Sequence, residues 1–254
     1  MERQLTGWAL DLDGVIWRGT ETVPGAPRAV ERLRAAGVPI AFVTNSAQRT
    51  PAQVAEKLAH HGIPDAESEV ITAAMAAARL VSAGERVLAV GTDGVREALV
   101  AAGVELVDHG PADAVVMGID PAFDYDAMTR AMRAIDAGAR FIATNTDSTF
   151  PAADGLLPGN GALVAAVATA TGATPEVAGK PHEPIAALVR DQLGHTGLMV
   201  GDRPETDGLF ARAVGYDFGL VFSGVTAPTD LPVDPDPAYT AVDLAAMVDQ
   251  VLPA

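Results

Sequence analysis

Two aspartates separated by one residue follow an apolar segment near the start of the chain. Asp11 and Asp13 lie in the string Asp-Leu-Asp-Gly-Val, directly after Trp8-Ala9-Leu10. Residues two apart on an extended chain point to the same side, roughly 6.6 Å apart at about 3.3 Å per residue, so both carboxylates can face one ligand. Two carboxylates placed in this way either repel each other or share a cation. A plain turn at a strand end, with aspartate caps and a positive φ at Gly14, is the alternative interpretation.

The same string also resembles the start of a calcium-binding loop. Such a loop carries a glutamate at its twelfth position, and counted from Asp11 that position is Thr22. We therefore do not expect a calcium site of this type.

Three further polar strings stand where apolar segments end. The segment Thr44–Ser46 offers hydroxyl, amide and backbone N–H donors, which are the groups that hold phosphoryl oxygens. Lys180, in a Gly-Lys-Pro string, can offset the charge of a phosphate and two aspartates. Asp202 and Asp207 can complete the oxygen ligands of a magnesium ion. Each string alone is also typical of turns, helix caps or solvated surface, so it is their combination that points to a phosphate site.

The elements that must position these strings alternate between short β-like and helix-like segments. This alternation is typical of a parallel sheet with helices on both faces, which binds ligands at the carboxyl ends of its strands. We predict an α/β fold with a doubly wound, Rossmann-like parallel sheet. The predicted strands are 7–12, 39–43, 86–90, 114–117, 140–143, 176–178 and 197–200. The predicted helices include 162–171, 184–193 and 241–252, a helix that buries Ala26, Ala29, Val30 and Leu33, and a helix that starts after Thr50-Pro51.

The composition limits the class of protein. The 254 residues suffice for one α/β domain that carries an insertion. The absence of cysteine excludes disulfides, thiolate metal sites and cysteine nucleophiles. A formal net charge of −16 argues against nucleic acid and anionic membranes as partners. The chain start lacks the pattern of a signal peptide and no stretch resembles a membrane span, so we expect a cytoplasmic protein.

Taken together and in this order, the motifs resemble those of the haloacid dehalogenase superfamily. That family combines an Asp-x-Asp-x-Thr/Val strand end, a strand-end Thr or Ser, a Lys and an acidic Gly-Asp-x-x-x-x-Asp string. The chain is most similar to the NagD-like group, subfamily IIA, whose large cap domain is inserted between the second and third motifs. This group includes nucleotide, nitrophenyl phosphate, phosphoglycolate, glycerol phosphate and pyridoxal phosphate phosphatases. The matching segments are 11–15, 43–46, 144–147, 158–162, 179–181 and 201–207, so the resemblance covers nearly the whole chain.

The resemblance implies a Mg²⁺-dependent phosphatase that acts on a small phosphate monoester. Asp11 is implied as the nucleophile that forms an aspartyl-phosphate, and Asp13 as the general acid and base. Thr44 and Lys180 are implied as the other catalytic groups, with Lys180 balancing charge and orienting Asp11. The presence of Asp13 favours phosphate ester hydrolysis over carbon–halogen chemistry.

The resemblance also implies two sets of binding residues. The implied phosphate-binding residues are Asp11, Thr44, Asn45, Ser46 and Lys180. The implied Mg²⁺ ligands are Asp11, Asp13 through its backbone carbonyl, Asp202 and Asp207, the last either directly or through water. Ser46 and Ala47 stand where the family often has Asn and Ser, a change that keeps the backbone donors.

The resemblance places the core in 1–79 and 180–254 and an inserted α/β cap, which closes over the site and sets selectivity, in 80–179. Within the cap, Asn145 and Asp147 are implied as hydrogen-bonding partners of the leaving group, and Phe150 as a wall of the pocket. Capping of the loop is the alternative role of the two polar residues. The loop string Thr-Asn-Thr-Asp-x-x-Phe-Pro is similar to that of phosphoglycolate and glycerol phosphate phosphatases. The resemblance also allows a homodimer formed through the cap.

The implied substrates are glycerol phosphate, phosphoglycolate, a nucleotide or a sugar phosphate, with nitrophenyl phosphate as an assay substrate. Two other functions fit the same fold. A phosphomutase or another phosphotransferase would use the same Asp11 and Asp13, whereas a non-catalytic phosphometabolite-binding protein would have lost key carboxylates, all of which are present.

The histidines show no metal-ligand spacing on one helix face. His182 is the only histidine near the implied site. The others, which we expect on the solvated surface, are His60, His61, His109 and His195.

Overall fold

The fold is given by a computed structural model that describes residues 7–152 and 155–252. Met1–Gln4, the start of the segment for which we expect no signal peptide, lies outside the described residues. The strands are β1 (Trp8–Leu10), β2 (Trp17–Arg18), β3 (Glu21–Thr22), β4 (Ile40–Thr44), β5 (Val70–Thr72), β6 (Arg86–Val90), β7 (Glu105–Val107), β8 (Ala114–Met117), β9 (Arg140–Ala143), β10 (Thr149–Ala152), β11 (Gly155–Pro158), β12 (Glu176–Val177), β13 (Leu198–Gly201), β14 (Asp217–Val221) and β15 (Tyr239–Ala241). The helices are α1 (Ala26–Ala35), α2 (Pro51–His60), α3 (Ala73–Ala78), α4 (Asp93–Ala101), α5 (Tyr125–Asp136), α6 (Asn160–Thr171), α7 (Glu183–Leu193), α8 (Leu209–Val214) and α9 (Leu244–Val251).

The chain divides into two compact units. The core unit comprises the chain up to Thr44, Ala52–Ile71 and the chain from Lys180 onward. The inserted unit comprises Asn45–Pro51 and Thr72–Gly179. No helix in 7–152 or 155–252 is long and apolar enough to cross a membrane.

The inserted unit starts earlier than the sequence-based boundary at residue 80. Helix α3, which lies before that boundary, packs against α4 of the inserted unit. The short segment 45–51 joins the same unit because the Gln48 carbonyl accepts hydrogen bonds from Gly94 N at 3.2 Å and Thr92 Oγ1 at 2.7 Å. These contacts join residues far apart in sequence, so the spacing of motifs does not reveal them.

The core unit is built on a six-stranded sheet in the order β15-β14-β13-β1-β4-β5. From β15 to β4, all neighbouring strands run parallel. Strands β1, β4 and β13 are buried along their whole length, as expected for central strands of a parallel sheet. The α/β class and the doubly wound parallel sheet predicted from the sequence are confirmed.

Local sequence explains where the helices of the core unit begin. Helix α1 starts after Gly25, whose φ of 80° is left-handed, and has Pro27 in its first turn, where proline is well tolerated. It buries Ala26, Ala29, Val30 and Leu33, the face predicted from helical spacing. Helix α9 is capped by Asp243, whose carboxylate accepts from Ala246 N at 2.8 Å.

The inserted unit has its own parallel sheet in the order β12-β9-β8-β6-β7. Its separate apolar core includes Leu88, Val115, Met117 and Val164, so the unit buries its own hydrophobic surface. Strands β10 and β11 form an antiparallel hairpin. Three strands of this sheet, β6, β8 and β9, have the bounds predicted from the sequence.

Several elements were not predicted, and the reasons are local. Strand β14 contains Gly219 and starts at Asp217, two residue types that are rare in strands. Strand β15 and the hairpins β2–β3 and β10–β11 consist of segments of two to four residues, too short to show a period. The last helix starts at Leu244 rather than at 241 because Asp243 caps it and Ala241 belongs to β15.

Candidate active site

The carboxyl ends of three core strands bring the predicted residues of the core unit to one edge of the sheet. Leu10 of β1 pairs with Phe42 of β4 on one side and with Val200 of β13 on the other. Because these strands are parallel, the residues that end them, including Thr44, lie at the same edge. Asp11 N donates to the Val200 carbonyl at 2.9 Å, which fixes the Asp11 backbone between β1 and β13.

Three of the predicted carboxylates meet at this edge. Asp11, Asp202 and Asp207 each offer an oxygen, and these oxygens lie within 4.8 Å of one another. Asp202 and Asp207 are buried, and Asp11 is half-buried. The sequence prediction that these residues come together agrees with the geometry, although their roles remain predictions.

Lys180 lies within hydrogen-bonding distance of two of the three carboxylates. Its Nζ is 2.6 Å from Asp11 Oδ1 and 2.7 Å from Asp207 Oδ1. Asp207 Oδ2 in turn accepts from Arg203 N at 3.2 Å. Asp207 therefore orients Lys180, and Lys180 orients Asp11. The ammonium group neutralises only part of the charge, because it faces three carboxylates.

Asp202 is held by a loop that follows β14. Its Oδ2 accepts from Val225 N at 2.7 Å, and its carbonyl accepts from Thr226 Oγ1 at 2.6 Å. A Cβ atom added at Gly224 would lie 1.9 Å from Asp202 Oδ2, and one added at Gly14 would lie 2.5 Å from it. Gly14 also has a φ of 84°, as the turn interpretation expected. The carboxylate thus fits in a space that only glycines leave open.

Burial and mutual repulsion act on the charges of this cluster. Burial is the largest influence on Asp11 and raises its pKa well above the ordinary value; Lys180 opposes this shift, and Asp207 and Asp202 add to it. Burial, followed by the charge of Asp207, raises the pKa of Asp202 to about 6. Burial alone would lower the pKa of Lys180, but Asp11 and Asp207 outweigh it and raise that pKa.

The cluster has the chemistry of a divalent cation site. It offers carboxylate oxygens that lie close together, two of them on buried residues, and such oxygens are the ligand type that Mg²⁺ prefers. Burial, together with the neighbouring carboxylates, raises the pKa values of Asp11 and Asp202 despite the charge of Lys180. A bound cation would offset both effects and keep both groups ionised.

Asp13 lies apart from the three clustered carboxylates and is exposed. Its Oδ1 accepts a hydrogen bond from Trp17 Nε1 at 2.9 Å, across the turn in which Gly14 N donates to the Trp17 carbonyl at 2.7 Å. Leu12, between the two aspartates, is buried, as the alternation of side chains predicted. The indole therefore sets the direction of the Asp13 carboxylate.

Trp17 is itself held by packing, and one of its neighbours corrects a sequence prediction. The ring stacks on His61 with centroids 5.0 Å apart, and Lys57 Nζ lies 3.8 Å from the ring centroid. His61, predicted to be on the solvated surface, is only 5% exposed and its Nδ1 lies 2.7 Å from Thr22 Oγ1. That prediction was wrong because the β2–β3 hairpin, which covers the ring, was not foreseen.

The remaining predicted residues fall into both units. Thr44 ends β4 in the core unit and is buried. Asn45 and Ser46 belong to the inserted unit, where Asn45 is half-buried and Ser46 is exposed. Their role in phosphate binding stays a prediction.

The predicted substrate loop, 144–151, lies in the inserted unit; it follows β9 and continues into β10, which contains Phe150. Asn145 is buried, whereas Asp147 and Phe150 are half-buried. Asn145 Nδ2 donates to the Asn45 carbonyl at 2.7 Å, and its Oδ1 accepts from Asp147 N at 3.1 Å. The capping role left open by the sequence is therefore present for Asn145, and contact with a leaving group stays a prediction for all three residues.

Sequence reasoning missed the residues that support the functional side chains. Trp17 holds Asp13, and Val225 and Thr226 hold Asp202. The signal for Trp17 was its position four residues after Asp13, within one turn. The contact of Asp202 with residues 23 and 24 positions later left no such signal.

Comparison with known proteins assigns the family. The family model for haloacid dehalogenase-like hydrolases matches residues 8–105, and a HAD-hydrolase-like model matches residues 177–247. The 5'-nucleotidase YutF of Bacillus subtilis strain 168 is 38% identical over 243 residues, which are 93% of this chain and 94% of the relative. The chain belongs to the haloacid dehalogenase-like hydrolase family.

Solved structures agree with this assignment. The glycerol phosphate phosphatase Rv1692 of Mycobacterium tuberculosis, crystallised in complex with magnesium, superposes with a TM-score of 0.90 at 35% identity and covers 96% of this chain and 76% of that chain. The p-nitrophenyl phosphatase of Archaeoglobus fulgidus has a TM-score of 0.91 at 33% identity and covers 98% of this chain and 100% of that chain. Both are relatives over nearly the full length of this chain.

We expect Asp202→Asn to stabilise the metal-free protein at neutral pH. The pKa of Asp202 is raised from an ordinary 3.8 to about 6, so the folded protein holds this proton more tightly than the unfolded chain. The stability from this proton is full below about pH 4 and is lost as the pH rises through 6; at about 1.4 kcal/mol per pKa unit it amounts to roughly 3 kcal/mol. Thermal unfolding without metal should therefore depend less on pH in the variant.

The same melts with Mg²⁺ give the control. The cation should raise the melting temperature of the wild-type protein at about pH 7.5 and have little effect below about pH 5, where protons compete for the carboxylates. Asp202→Asn should lose most of this gain, and Asp236→Asn, the same change at an exposed aspartate, should keep it. Two outcomes would contradict the raised pKa of Asp202 and its role in cation binding. One is an Asp202→Asn variant that melts below wild type without metal at neutral pH, and the other is a variant that keeps the full rise in melting temperature with Mg²⁺.

Proposed function

We propose that this haloacid dehalogenase-like hydrolase is a Mg²⁺-dependent phosphatase that hydrolyses small phosphate monoesters through an aspartyl-phosphate on Asp11. The observation that carries the proposal is the position of Asp11, at a strand end, 2.6 Å from a buried ammonium and beside two further buried carboxylates. A carboxylate that is oriented and charge-balanced in this way is suited to nucleophilic attack. The names of the relatives, which are phosphatases and a nucleotidase, support the same reaction.

In the first step, an Asp11 oxygen attacks phosphorus opposite the leaving oxygen. The bond from phosphorus to Asp11 forms while the bond to the leaving oxygen breaks, and the protonated Asp13 carboxyl gives its proton to that oxygen. In the second step, water attacks the aspartyl-phosphate, and Asp13 takes a proton from it. Inorganic phosphate leaves and both aspartates return to their starting states. Trp17 Nε1 keeps the Asp13 carboxylate in one orientation during both transfers.

Mg²⁺ would be held by Asp11, the Asp13 backbone carbonyl, Asp202 and Asp207, the last either directly or through water. When bound, it supplies positive charge that offsets the repulsion between the anionic nucleophile and the anionic substrate. Asp207 has a second task in the protein, because it orients Lys180 through the 2.7 Å contact between Oδ1 and Nζ.

The transferring oxygens would be bound by neutral donors and one cation. Thr44 supplies a hydroxyl, Asn45 and Ser46 supply backbone N–H groups, and Lys180 supplies its ammonium. These groups recognise the phosphoryl group, which all phosphate monoesters share. They do not distinguish one leaving group from another.

In this proposal, the inserted unit determines the selectivity for the leaving group. Asp147, in the loop after β9, and Phe150, in β10, are half-buried and are the proposed determinants. Glycerol phosphate, phosphoglycolate, nucleotides and sugar phosphates are the proposed candidates. Relatives are named for glycerol phosphate, nucleotide and nitrophenyl phosphate hydrolysis.

The first test is hydrolysis of a broad panel of phosphate monoesters by the purified protein with Mg²⁺. We expect release of inorganic phosphate that stops when the metal is chelated. Asp11→Asn should lower kcat by at least about 10³-fold, because the amide is no nucleophile. Asp236→Asn at an exposed position should retain wild-type activity. No release from any ester would reject the phosphatase, and wild-type activity in Asp11→Asn would reject the nucleophile.

The second test concerns the orientation of the general acid. Trp17→Phe keeps an aromatic ring in the core but removes the donor to Asp13. We expect kcat to fall about tenfold or more for glycerol phosphate, a poor leaving group that needs protonation, and much less for nitrophenyl phosphate. The measurement is kcat and KM for both esters. Trp8→Phe truncates the other buried tryptophan and should not separate the two substrates; equal losses in Trp17→Phe would argue against the positioning role.

A further inference from the structure

All three asparagines of the chain lie in one hydrogen-bonded network within the inserted unit. Asn45, Asn145 and Asn160 are the only asparagines among the 254 residues. Asn145 Nδ2 donates to the Asn45 carbonyl at 2.7 Å, and Asn160 Nδ2 donates to the Asn145 carbonyl at 2.8 Å. Asn145 is 6% exposed and Asn160 is 2% exposed. The network therefore links the loop after β4, the loop after β9 and the first residue of α6.

The side chain of Asn145 uses both of its polar atoms within this unit. Its Nδ2 holds the Asn45 carbonyl, and its Oδ1 accepts from Asp147 N at 3.1 Å in the manner of an Asx turn. Asn45 Nδ2 donates to the Asp147 carboxylate at 3.3 Å, which closes the ring of contacts. One buried side chain thus ties two backbone segments that are 100 residues apart.

The bond to the Asn45 carbonyl also fixes the direction of a neighbouring N–H. A peptide group is planar and trans, so the Asn45 carbonyl and the Ser46 N–H point in opposite directions from one rigid plane. A donor that holds the carbonyl therefore holds the N–H as well. The Ser46 N–H is one of the backbone donors proposed above for the phosphoryl oxygens.

Asn160 supports Asn145 through its side-chain nitrogen but leaves its side-chain oxygen buried without a partner in the described part of the chain. Its Nδ2 donates to the Met117 carbonyl at 3.1 Å as well as to Asn145. Its Oδ1 is buried and has no hydrogen-bond partner among the residues that the structure describes. A buried polar atom without a partner destabilises the folded protein, an effect that an apolar side chain would avoid. The bonds donated by its nitrogen are therefore what this amide contributes.

Two glycines beside Asn160 let the loop approach closely. A Cβ atom at Gly159 would lie 2.2 Å from the Asp147 carbonyl oxygen, and one at Gly161 would lie 2.3 Å from the Thr146 carbonyl oxygen. Gly161 N donates to the Asp147 carbonyl at 2.9 Å. The Pro-Gly-Asn-Gly string thus forms a close-fitting backbone support for the loop that carries Asn145.

We propose that Asn145 is a positioning residue for phosphate binding. It orients the Asn45–Ser46 peptide, so that the Ser46 N–H is held in the direction in which it binds a phosphoryl oxygen. This inference rests on the proposed phosphatase function and replaces the implied contact of Asn145 with the leaving group. Because the phosphoryl group is common to all substrates, the effect of Asn145 is independent of the leaving group.

The test uses Asn145→Ser in the full-length protein with Mg²⁺. A serine hydroxyl can keep the turn to Asp147 N but is too short to reach the Asn45 carbonyl. We expect the inhibition constant of inorganic phosphate, which has no leaving group, to rise about tenfold or more. The kcat/KM values for nitrophenyl phosphate, glycerol phosphate and a nucleoside 5'-monophosphate should fall by one common factor, within about threefold.

Phe150→Ala, in the adjoining strand β10, is the control. It removes a proposed wall of the pocket and should change the three kcat/KM values unevenly while leaving inhibition by inorganic phosphate unchanged. The same uneven pattern in Asn145→Ser, with unchanged inhibition by phosphate, would overturn the proposal and restore the leaving-group contact.

A second variant, Asn160→Ser, tests the proposal if Asn145→Ser does not fold. Asn160→Ser removes the support of Asn145 without altering Asn145. We expect the same rise in the inhibition constant of inorganic phosphate and the same uniform fall in kcat/KM, both smaller than in Asn145→Ser. Unchanged phosphate inhibition in a folded Asn160→Ser would overturn the proposal as well. If the wild-type protein hydrolyses no ester of the broad panel, the proposed function fails, and calorimetric binding of inorganic phosphate to wild type and Asn145→Ser decides the positioning role alone.

Discussion

The rest of the core-unit site depends on the ion pairs that Lys180 forms with Asp11 and Asp207. One buried ammonium lies between Asp11 and Asp207, with Asp202 as a third carboxylate nearby. Removing any one of these groups from water is costly, and each ion pair recovers part of that cost only at short range. Because three carboxylates face one ammonium, the site stays under-compensated. Burial first, and the neighbouring carboxylates in addition, raise the pKa values of Asp11 and Asp202, and a divalent cation is suited to offset both effects.

The sheet is what makes such a concentration of charge possible. Parallel strands place their carboxyl ends at one edge, so the aspartates that directly follow β1 and β13 meet there without any loop having to bend back into the core. Burial of the apolar side chains of these strands offsets the conformational entropy that is lost when this edge is ordered. Gly14 and Gly224, which have no Cβ atom, leave the space that the Asp202 carboxylate occupies.

The sequence predicted the side chains that carry chemistry better than those that support them. Asp11, Asp202 and Lys180 stand in strings at the ends of periodic apolar segments, so their positions follow from the alternation of strands and helices. Trp17, Val225 and the buried state of His61 depend on a hairpin and a loop that have no period. Contacts between residues far apart in sequence decide these supports, and single-sequence patterns do not contain that information.

The two units orient their loops by different means. In the core unit, charged groups orient one another and at the same time set the local field that a cation and an anionic substrate would meet. In the inserted unit, Asn145 and Asn160 orient backbone with neutral amide donors. A lysine in place of either would add positive charge and a longer, more mobile side chain, and an aspartate would repel the carbonyl that must be held. An amide therefore directs a peptide group without placing a charge beside it.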